Sequence, residues 1–547
     1  MKRSSVGRAW IFVAALVIGV VFLAPIVALL SRVDNVVLQE TLQKKTFTTS
    51  LMTTLVTAGA GSGLSVFFAL FFARTFALYS WRAKRVARLV LLIPFLIPNF
   101  VLATAYVIAW NPGTGLLNSF VKFPFGLYGT WGLIVLFAVS HMPIAFLIFE
   151  DRLRRIDSSL REAARLSGAG AIRIFLKIDL PLVSPSIWGA LALCFALNIA
   201  AFAIPAWIGA PERAYTLSYR IYQSIQLGGL DGFPQAASYG LVLFALVLPT
   251  LLILALAHRG GKKYETISAK ASRVRVEEPQ GRSWVFFQFA FATYHLFAWL
   301  APLSMLFAST LVPRGCLQAN GLACLSELNF STYRYVLLEL PETHSALTGT
   351  FIYGPLSALL ILVLSLLLLM TFRESKWAVR SSELTFLLAS STPGAVIALG
   401  LIMVLSGRFG INLYNTAWIV VAAFMVKHMN LAFQPLRAGL DSISGSLVEA
   451  ARLSGASRSE TWRRILLPIL RPELIGGFFL VLVPILGELT MSVFLVSPQY
   501  HSVGTLLFDL QDYADQSSAA ALSILLVGTV LLLNELTVRL TNGRLGY

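Results

Sequence analysis

The sequence predicts an all-α integral membrane protein with about twelve transmembrane helices, arranged as two tandem halves of about six. Hydrophobic residues make up 57% of the 547 residues and charged residues only 13%. The mean hydropathy is +0.76, which is too apolar for a soluble chain of this length and fits many spans of about 20 residues. The net charge of +17 is concentrated in alternate loops, as the positive-inside rule expects for a membrane protein. A polar segment also occurs twice at a fixed offset.

The repeat is an octapeptide, EAARLSGA, found at 162–169 and again at 449–456, which is an offset of 287 residues. Shared positions continue at this offset on both sides of the octapeptide. They include Ile178 with Ile465, Pro181 with Pro468, Trp131 with Trp418 and His141 with His428. A shared polar run at a constant offset indicates an internal duplication.

Each copy has the pattern of a helix, a turn and a second short helix. Apolar and small residues recur at spacings of three and four before the turn, which predicts one helical face. Gly168 and Gly455 fall where a residue in the left-handed conformation would end that helix. The second short helix is expected to end before Pro181 and Pro468, because proline interrupts the backbone ladder.

The duplicated pattern resembles the loop signature of the permeases of binding-protein-dependent ABC importers. That signature reads Glu-Ala-Ala, three residues, Gly, nine residues, Ile, one residue, Leu-Pro. The matching residues are Glu162, Ala163, Ala164, Gly168, Ile178, Leu180 and Pro181 in one copy and Glu449, Ala450, Ala451, Gly455, Ile465, Leu467 and Pro468 in the other. The resemblance implies a type I ABC importer fold in which 150–185 and 437–472 are coupling loops that dock on a cytoplasmic ATPase. The alternative is a repeated amphipathic turn that only closes a membrane hairpin.

Apolar runs and basic loops predict a first permease unit at 1–258, a cytoplasmic linker at 259–283 and a second permease unit at 284–547. The predicted spans are 10–30, 51–72, 89–110, 129–149, 187–208, 238–257, 284–309, 347–372, 384–405, 417–433, 474–496 and 519–533. Pro94 and Pro98 should bend the third span, and Pro393 lies in the ninth. This count puts both termini and both copies of the repeat on the Lys/Arg-rich, cytoplasmic side.

The sequence offers few candidates for catalytic or ligand-binding residues. The sequence has no G-x-x-x-x-G-K-[ST] run, so it predicts no phosphate-binding loop. We expect a transporter subunit rather than an enzyme, with no catalytic residue, metal site or cofactor, and with ATP and Mg on a partner ATPase. Cys316 and Cys324 share one predicted outer loop, where a disulfide would suit an oxidising periplasm. Two free thiols remain the alternative.

Glu488 is the carboxylate most clearly embedded in an apolar span. Burying an ionised carboxylate there costs on the order of 3 kcal/mol, so such a group faces a cavity or a partner. It is a candidate for the substrate pathway, and the alternative is a hydrogen-bonded packing residue. Its duplicate position is Ala201, so the pathway would be asymmetric, with Asn198 as a weaker polar candidate.

Fused pairs of this length resemble the iron(III)-type permeases, with thiamine, polyamine and phosphonate permeases as alternatives. The resemblance implies a multi-pass protein of the bacterial inner (cell) membrane. Its expected partners are two copies of an ABC ATPase, a periplasmic substrate-binding protein and the lipid bilayer, and no nucleic acid. A gradient-driven secondary transporter also commonly has twelve spans in two halves, and a membrane scaffold or sensor is a third alternative. The duplicated loops have no role in a secondary transporter, and co-purification with an ATPase would separate the ABC permease from both alternatives.

Overall fold

The computed structural model describes residues 5–31, 33–263, 281–314, 316, 323–324, 328–373, 375–407, 410–497, 500–512 and 515–540. Within these ranges, nine helices are long and apolar enough to cross a membrane. Three further pairs of helices meet the same criterion together, and counting each bent pair as one span gives up to twelve. The predicted all-α membrane fold is confirmed, and the twelve predicted spans correspond to these straight and broken helices.

The helices follow one another in the same order in both halves of the sequence. The first half contains α1 (Ser5–Leu30), α2 (Asn35–Gln43), α3 (Lys45–Leu78), α4 (Lys84–Leu96), α5 (Asn99–Trp110), α6 (Thr130–Arg154), α7 (Ser158–Leu166), α8 (Ala171–Ile174), α9 (Leu180–Ala200), α10 (Leu217–Gly228) and α11 (Phe233–Lys263). The second half contains α12 (Arg282–His295), α13 (Ala301–Thr310), α14 (Ser331–Arg334), α15 (Pro341–Thr348), α16 (Gly354–Phe372), α17 (Lys376–Ser391), α18 (Gly394–Leu405), α19 (Ala417–Ser442), α20 (Gly445–Leu453), α21 (Arg458–Thr461), α22 (Leu467–Ile469), α23 (Arg471–Leu486), α24 (Thr490–Leu495), α25 (Val503–Asp512) and α26 (Gln516–Leu540). Turns of π-helix lie at Phe175–Asp179, Pro205–Gly209, Leu296–Leu300, Tyr335–Glu339, Gly349–Tyr353 and Trp462–Leu466.

Packing divides the chain into two compact units whose boundaries differ from those of the duplication. The first unit is Asn35–Phe330, and the second unit joins Met1–Asp34 to Ser331–Tyr547. The predicted units at 1–258 and 284–547 follow the sequence repeat. Each compact unit, by contrast, also contains the first long helix of the other sequence half. The predicted linker at 259–283 lies largely outside the described residues, and α11 continues through the first five of its positions.

In the second unit, α1 packs against α17 and α18. The ring of Phe22 lies 4.8 Å from the ring of Phe386, centre to centre. Gly400 of α18 faces the backbone carbonyl of Pro25 so closely that no side chain would fit between them. Small residues allow this kind of backbone approach between membrane helices. In the first unit, the first long helix of the second sequence half makes an aromatic contact with a different helix, since the ring of Phe287 of α12 lies 6.1 Å from the ring of Phe72 of α3.

Each unit contains a helix pair that is bent by more than 90° at a proline. The axes of α4 and α5 meet at 94°, and those of α17 and α18 meet at 106°. The bends fall immediately before α5 and α18, whose N-terminal flanking residues are Pro98 and Pro393. The predicted bend in the third span is confirmed. Proline causes it because its nitrogen cannot donate to the preceding turn and its ring clashes with that turn.

Each unit also holds a short helix, α10 in the first unit and α25 in the second, which lies between the last two spans of the corresponding sequence half. The backbone N–H of Leu217 donates to the hydroxyl oxygen of Thr54 at 2.9 Å. In the second unit, the N–H of Val503 donates to the hydroxyl oxygen of Thr350 at 2.8 Å. A threonine on a long helix thus satisfies a free N–H at the start of each short helix. This shared contact shows that the duplication extends to structure where the sequences no longer match.

The close contact between α1 and α18 gives a stability prediction. Replacing Gly400 by Ala should lower the melting temperature of the purified protein in detergent, because the added methyl group would overlap the Pro25 carbonyl. Overpacking of this kind costs about 1–3 kcal/mol. Gly528→Ala is the matched control, since no atom lies within 4 Å of its added methyl group. Equal destabilisation by both substitutions would contradict the packing described for α1.

Candidate functional site

The first repeated segment (150–185) places a short capped helix, α7, on the surface of the first unit. The Asp157 carboxylate accepts the N–H of Ser159 at 3.0 Å at the start of this helix. Gly168 ends it in the left-handed conformation, with φ of 79°. The N–H of Ala169 then donates to the carbonyl of Ala164 at 2.9 Å. These contacts satisfy backbone groups that a short helix would otherwise leave free.

The second repeated segment (437–472) repeats this geometry in α20. The Ser444 hydroxyl accepts the N–H of Ser446 at 3.3 Å, and Gly455 has φ of 81°. The N–H of Ala456 donates to the carbonyl of Ala451 at 3.0 Å. The left-handed helix ends predicted at both glycines are confirmed. Glycine is suited to this position because a side chain there would cost about 1–2 kcal/mol.

The prediction that the second short helix ends before the proline is wrong for both segments, because each helix runs through its proline. In the first segment, α8 runs through the π-helical turn Phe175–Asp179 directly into α9, and Pro181 lies in the first turn of α9. The first turn of a helix has no internal partner for its N–H groups, so a proline is tolerated there. In the second segment, the 68° break follows Ile469, just after Pro468.

The outer faces of α7 and α20 expose apolar and small side chains. Leu166 and Leu453 occupy duplicate positions, and each is 90% exposed. Glu162 and Glu449 are exposed as well. Two alanines follow each glutamate. The first of each pair, Ala163 or Ala450, is exposed, whereas Ala164 is half-buried and Ala451 is buried. Two exposed leucines at matched positions form a pair of apolar surfaces available to a partner protein.

A buried ion pair holds the first repeated segment together. The Nε of Arg161 in α7 donates to Oδ1 of Asp179 at 2.7 Å, and the two side chains are 6% and 0% exposed. The Nε of Arg74, near the end of α3, lies 3.6 Å from Oδ2 of Asp179. The Arg74 guanidinium also donates to the carbonyl of Ala171 at 3.3 Å and lies 5.1 Å from the centre of the Phe175 ring. The segment is therefore fixed both internally and to a long membrane helix.

The second repeated segment has no ion pair at the duplicate positions. Val448 and Leu466 replace Arg161 and Asp179. Leu466 is 1% exposed and the neighbouring Trp462 is 4% exposed. Apolar burial therefore stabilises the second segment at the positions where a buried ion pair stabilises the first.

Lys427 is a half-buried cation in the transmembrane helix α19 of the second unit. Its Nζ donates to the carbonyls of Ser390 and Thr392, at 2.8 and 2.7 Å. These carbonyls lie at the C-terminal end of α17, where the bend leaves them without a helical partner. A cation is stabilised at this end of a helix by the peptide dipoles. Lys427 thus compensates for the break in the bent helix.

Glu488 has the complementary role at the break between α23 and α24. One carboxylate oxygen accepts the N–H of Met491 at 2.7 Å. The other accepts the N–H and the hydroxyl of Ser492, both at 3.1 Å. The carboxylate therefore caps the N-terminus of α24, where a negative charge is favourable. Its predicted position on a substrate pathway stays a prediction.

The first unit has neutral residues at the duplicates of these two charges, Ser140 and Ala201. Asn198 is buried, and its Nδ2 donates to the carbonyl of Ala58 at 3.3 Å and to the hydroxyl of Ser62 at 3.0 Å. These contacts join α9 to α3. The structure thus gives Asn198 a packing contact, and its role in a pathway stays a prediction.

Cys316 and Cys324 are joined by a disulfide. Most of the short loop between them lies outside the described residues. Cys194 is a free thiol buried in the first unit.

Sequence reasoning missed Lys427 and the pair formed by Arg161 and Asp179. A signal for Lys427 was available, because a lysine inside an apolar span is as rare as the glutamate that was noticed. Arg161 and Asp179 looked like ordinary charges in a basic loop. Their contact becomes visible only once α7 folds back on the start of α9.

Comparison with known proteins identifies the family. The family described as binding-protein-dependent transport system inner membrane component matches residues 65–260 and 361–542, which is more than half of the chain. The chain belongs to this family. Each match contains one repeated segment, so the permease carries the family domain twice. It is therefore a multi-pass membrane protein of a bacterial transport family.

The sequence identity between this chain and individual members of the family is low. The permease is 25% identical over 449 residues to the ferric transport system permease protein FbpB of Actinobacillus pleuropneumoniae, covering 77% of this chain and 61% of that protein. It is 23% identical over 418 residues to the Fe(3+)-transport system permease protein FbpB 2 of Haemophilus influenzae, covering 75% and 76%. A shorter match, 31% over 161 residues, covers 29% of the chain and 59% of PhnV of Salmonella paratyphi A, assigned to 2-aminoethylphosphonate transport.

The buried ion pair predicts a non-additive pair of substitutions. Asp179→Ala should destabilise the permease by about 3 kcal/mol, because it leaves Arg161 buried without its anion. The double variant Arg161→Val/Asp179→Leu copies the second segment and should recover most of this loss. Thermal unfolding of the purified permease in detergent measures both. A double variant no more stable than Asp179→Ala would contradict the role given to the pair.

The contact of Lys427 with the bent helix predicts a local effect. Lys427→Met should weaken the end of α17 by about 2 kcal/mol, because two carbonyls lose a charged donor. Hydrogen–deuterium exchange should rise around residues 388–396 in the variant. Lys122→Met, in an exposed loop of the first unit, is the control and should leave that exchange unchanged. Unchanged exchange in Lys427→Met would exclude the capping role.

Proposed function

We propose that this permease is the membrane subunit of an ATP-binding cassette importer and that its two repeated segments dock two copies of a separate cytoplasmic ATPase. The observation that carries the proposal is the pair of capped helices α7 and α20, which expose Leu166 and Leu453 at duplicate positions. A fully exposed leucine on a short, rigid helix favours burial against another protein. Membership of a binding-protein-dependent family supports the same partners.

The proposed coupling residues are those of the shared signature. They are Glu162, Ala163, Ala164 and Gly168 in the first segment and Glu449, Ala450, Ala451 and Gly455 in the second. The exposed alanines Ala163 and Ala450 would allow close approach of an ATPase backbone, and the glycines fix the direction in which each helix ends. ATP and Mg would be held by the ATPase, and this chain would supply no catalytic group.

The substrate we propose is iron(III), delivered by a periplasmic binding protein. The support is the similarity over three quarters of the chain to permeases named for ferric transport. Aminoethylphosphonate is the second candidate, supported by the 31% identity to PhnV over a shorter stretch. Thiamine and polyamines remain alternatives from the sequence resemblance alone.

The proposed orientation places both termini and both repeated segments in the cytoplasm and the disulfide-bearing loop in the periplasm. In this arrangement ATP binding would move the segments, and a movement of the segments would shift the permease between conformations open to either side of the membrane. The ATPase can bias such an equilibrium only if it binds one conformation better than the other. A secondary transporter would need no such surfaces.

The glycine that ends α7 provides the test of coupling. Gly168→Val should reduce iron(III) uptake per ATP hydrolysed, because valine is strained at a φ of 79° and would redirect the helix end. The measurement uses proteoliposomes that contain the permease, its ATPase and its binding protein. Gly170→Val is the matched control, since Gly170 has an ordinary φ of −72° and open space around it. Normal coupling in a Gly168→Val/Gly455→Val double variant would contradict the proposal.

A further inference from the structure

A charged network lies beside the first repeated segment, where α6 meets the bent helix. Glu150 of α6 is almost fully buried, with 3% of its side chain exposed. One of its oxygens accepts the Nε of Arg88 in α4 at 2.8 Å. The other accepts Nη2 of Arg154, one turn further along α6, at 2.6 Å. The carboxylate therefore joins α4 to the helix that leads into the segment.

The second unit has a network of the same layout with every charge reversed. Arg437 of α19 contacts Glu383 of α17. Its Nε lies 3.4 Å from Oδ2 of Asp441, one turn further along α19. A cation here joins the first limb of the bent helix to the helix that leads into the segment, as an anion does in the first unit.

All three positions of the two networks are duplicates. The matched residues are Glu150 with Arg437, Arg154 with Asp441, and Arg88 with Glu383. The first two pairs share the offset of 287 residues. The third pair is matched by the bends, because Arg88 and Glu383 each precede the bend proline, Pro98 or Pro393, by ten residues.

The complete reversal shows what the two units have in common. In the first unit, changing one member alone would place like charges together around the buried Glu150, which is strongly unfavourable. The two copies differ at all three positions, yet each keeps complementary charges. The shared feature is therefore the attraction between the first limb of the bent helix (α4 or α17) and the helix that leads into the segment (α6 or α19). The identity of any one residue is not shared.

We propose that these networks, which we call the charge clamps, are positioning devices that carry movement of a repeated segment to the bent helix within the membrane. The clamp of the first unit is Arg88, Glu150 and Arg154, and that of the second is Glu383, Arg437 and Asp441. The inference rests on the proposed function, because it assumes that an ATPase moves the segments. Ion-pair networks that join packed elements can carry coupling of this kind, and each clamp joins the bent helix to the helix that leads into the segment.

The test compares single and complete charge reversal in the first clamp. Glu150→Arg puts three cations together and should lower uptake per ATP hydrolysed by about tenfold, within the usual range of coupling between sites. The triple variant Arg88→Glu/Glu150→Arg/Arg154→Asp copies the second clamp and should restore the ratio to near the parent value. Both are measured on assembled complexes in proteoliposomes, with iron(III)-loaded binding protein. A purely structural role would change the yield of complex and leave this ratio unchanged.

Two further variants complete the experiment. Glu150→Gln keeps the side-chain shape and should also lower the ratio, which gives a result even if Glu150→Arg does not assemble. Asp151→Asn is the control, because Asp151 and Arg155 form an exposed pair on the same helix, 64% and 63% exposed, and such pairs contribute little. Asp151→Asn should keep the parent ratio.

The inference would be overturned if the triple variant assembled but its uptake per ATP hydrolysed stayed as low as that of Glu150→Gln. It would also be overturned if Glu150→Gln kept the uptake per ATP hydrolysed of the parent permease. Failure of the proposed function gives a different result. In that case the parent permease itself would neither bind nor stimulate an ATPase, and no variant could be compared with it.

Discussion

Backbone polar groups inside a membrane must find partners within the protein, because lipid offers them none. Straight helices meet this condition by themselves, whereas a broken helix frees carbonyls at one end and N–H groups at the other. In the second unit, Lys427 binds the freed carbonyls of α17, and Glu488 binds the freed N–H groups of α24. These charges stabilise these two breaks of the second unit, whereas the first unit has the neutral Ser140 and Ala201 at the duplicate positions.

The two halves share their backbone geometry more closely than their side-chain chemistry. Both repeated segments end their first helix at a left-handed glycine and expose a leucine on the outer face. Yet Arg161 and Asp179 hold one segment together, whereas the other has Val448 and Leu466 at these positions. The charge clamps repeat this contrast with opposite signs. Duplication has therefore preserved shape and complementarity while the individual residues diverged.

Local features of the fold could be predicted from the sequence, and contacts between distant residues could not. The duplication was predicted from a polar run repeated at a constant offset, and the bend at Pro98 and the left-handed Gly168 were predicted from residue types with strong backbone preferences. The continuation of α8 through Pro181 was not predicted, because the π-helical turn before it has no sequence signature. The packing of α1 in the unit of the other sequence half was also not predicted, since the residues of an apolar span do not indicate which helix it packs against.

The proposed function requires α7 and α20 to lie on the same, cytoplasmic side of the membrane and to be covered by an ATPase. The most direct measurement is labelling of Leu166→Cys and Leu453→Cys by a membrane-impermeant thiol reagent, in vesicles of known orientation. Both cysteines should react only in inside-out vesicles, and adding the ATPase should protect both. Labelling of the two cysteines from opposite sides, or labelling that the ATPase leaves unchanged, would contradict the account.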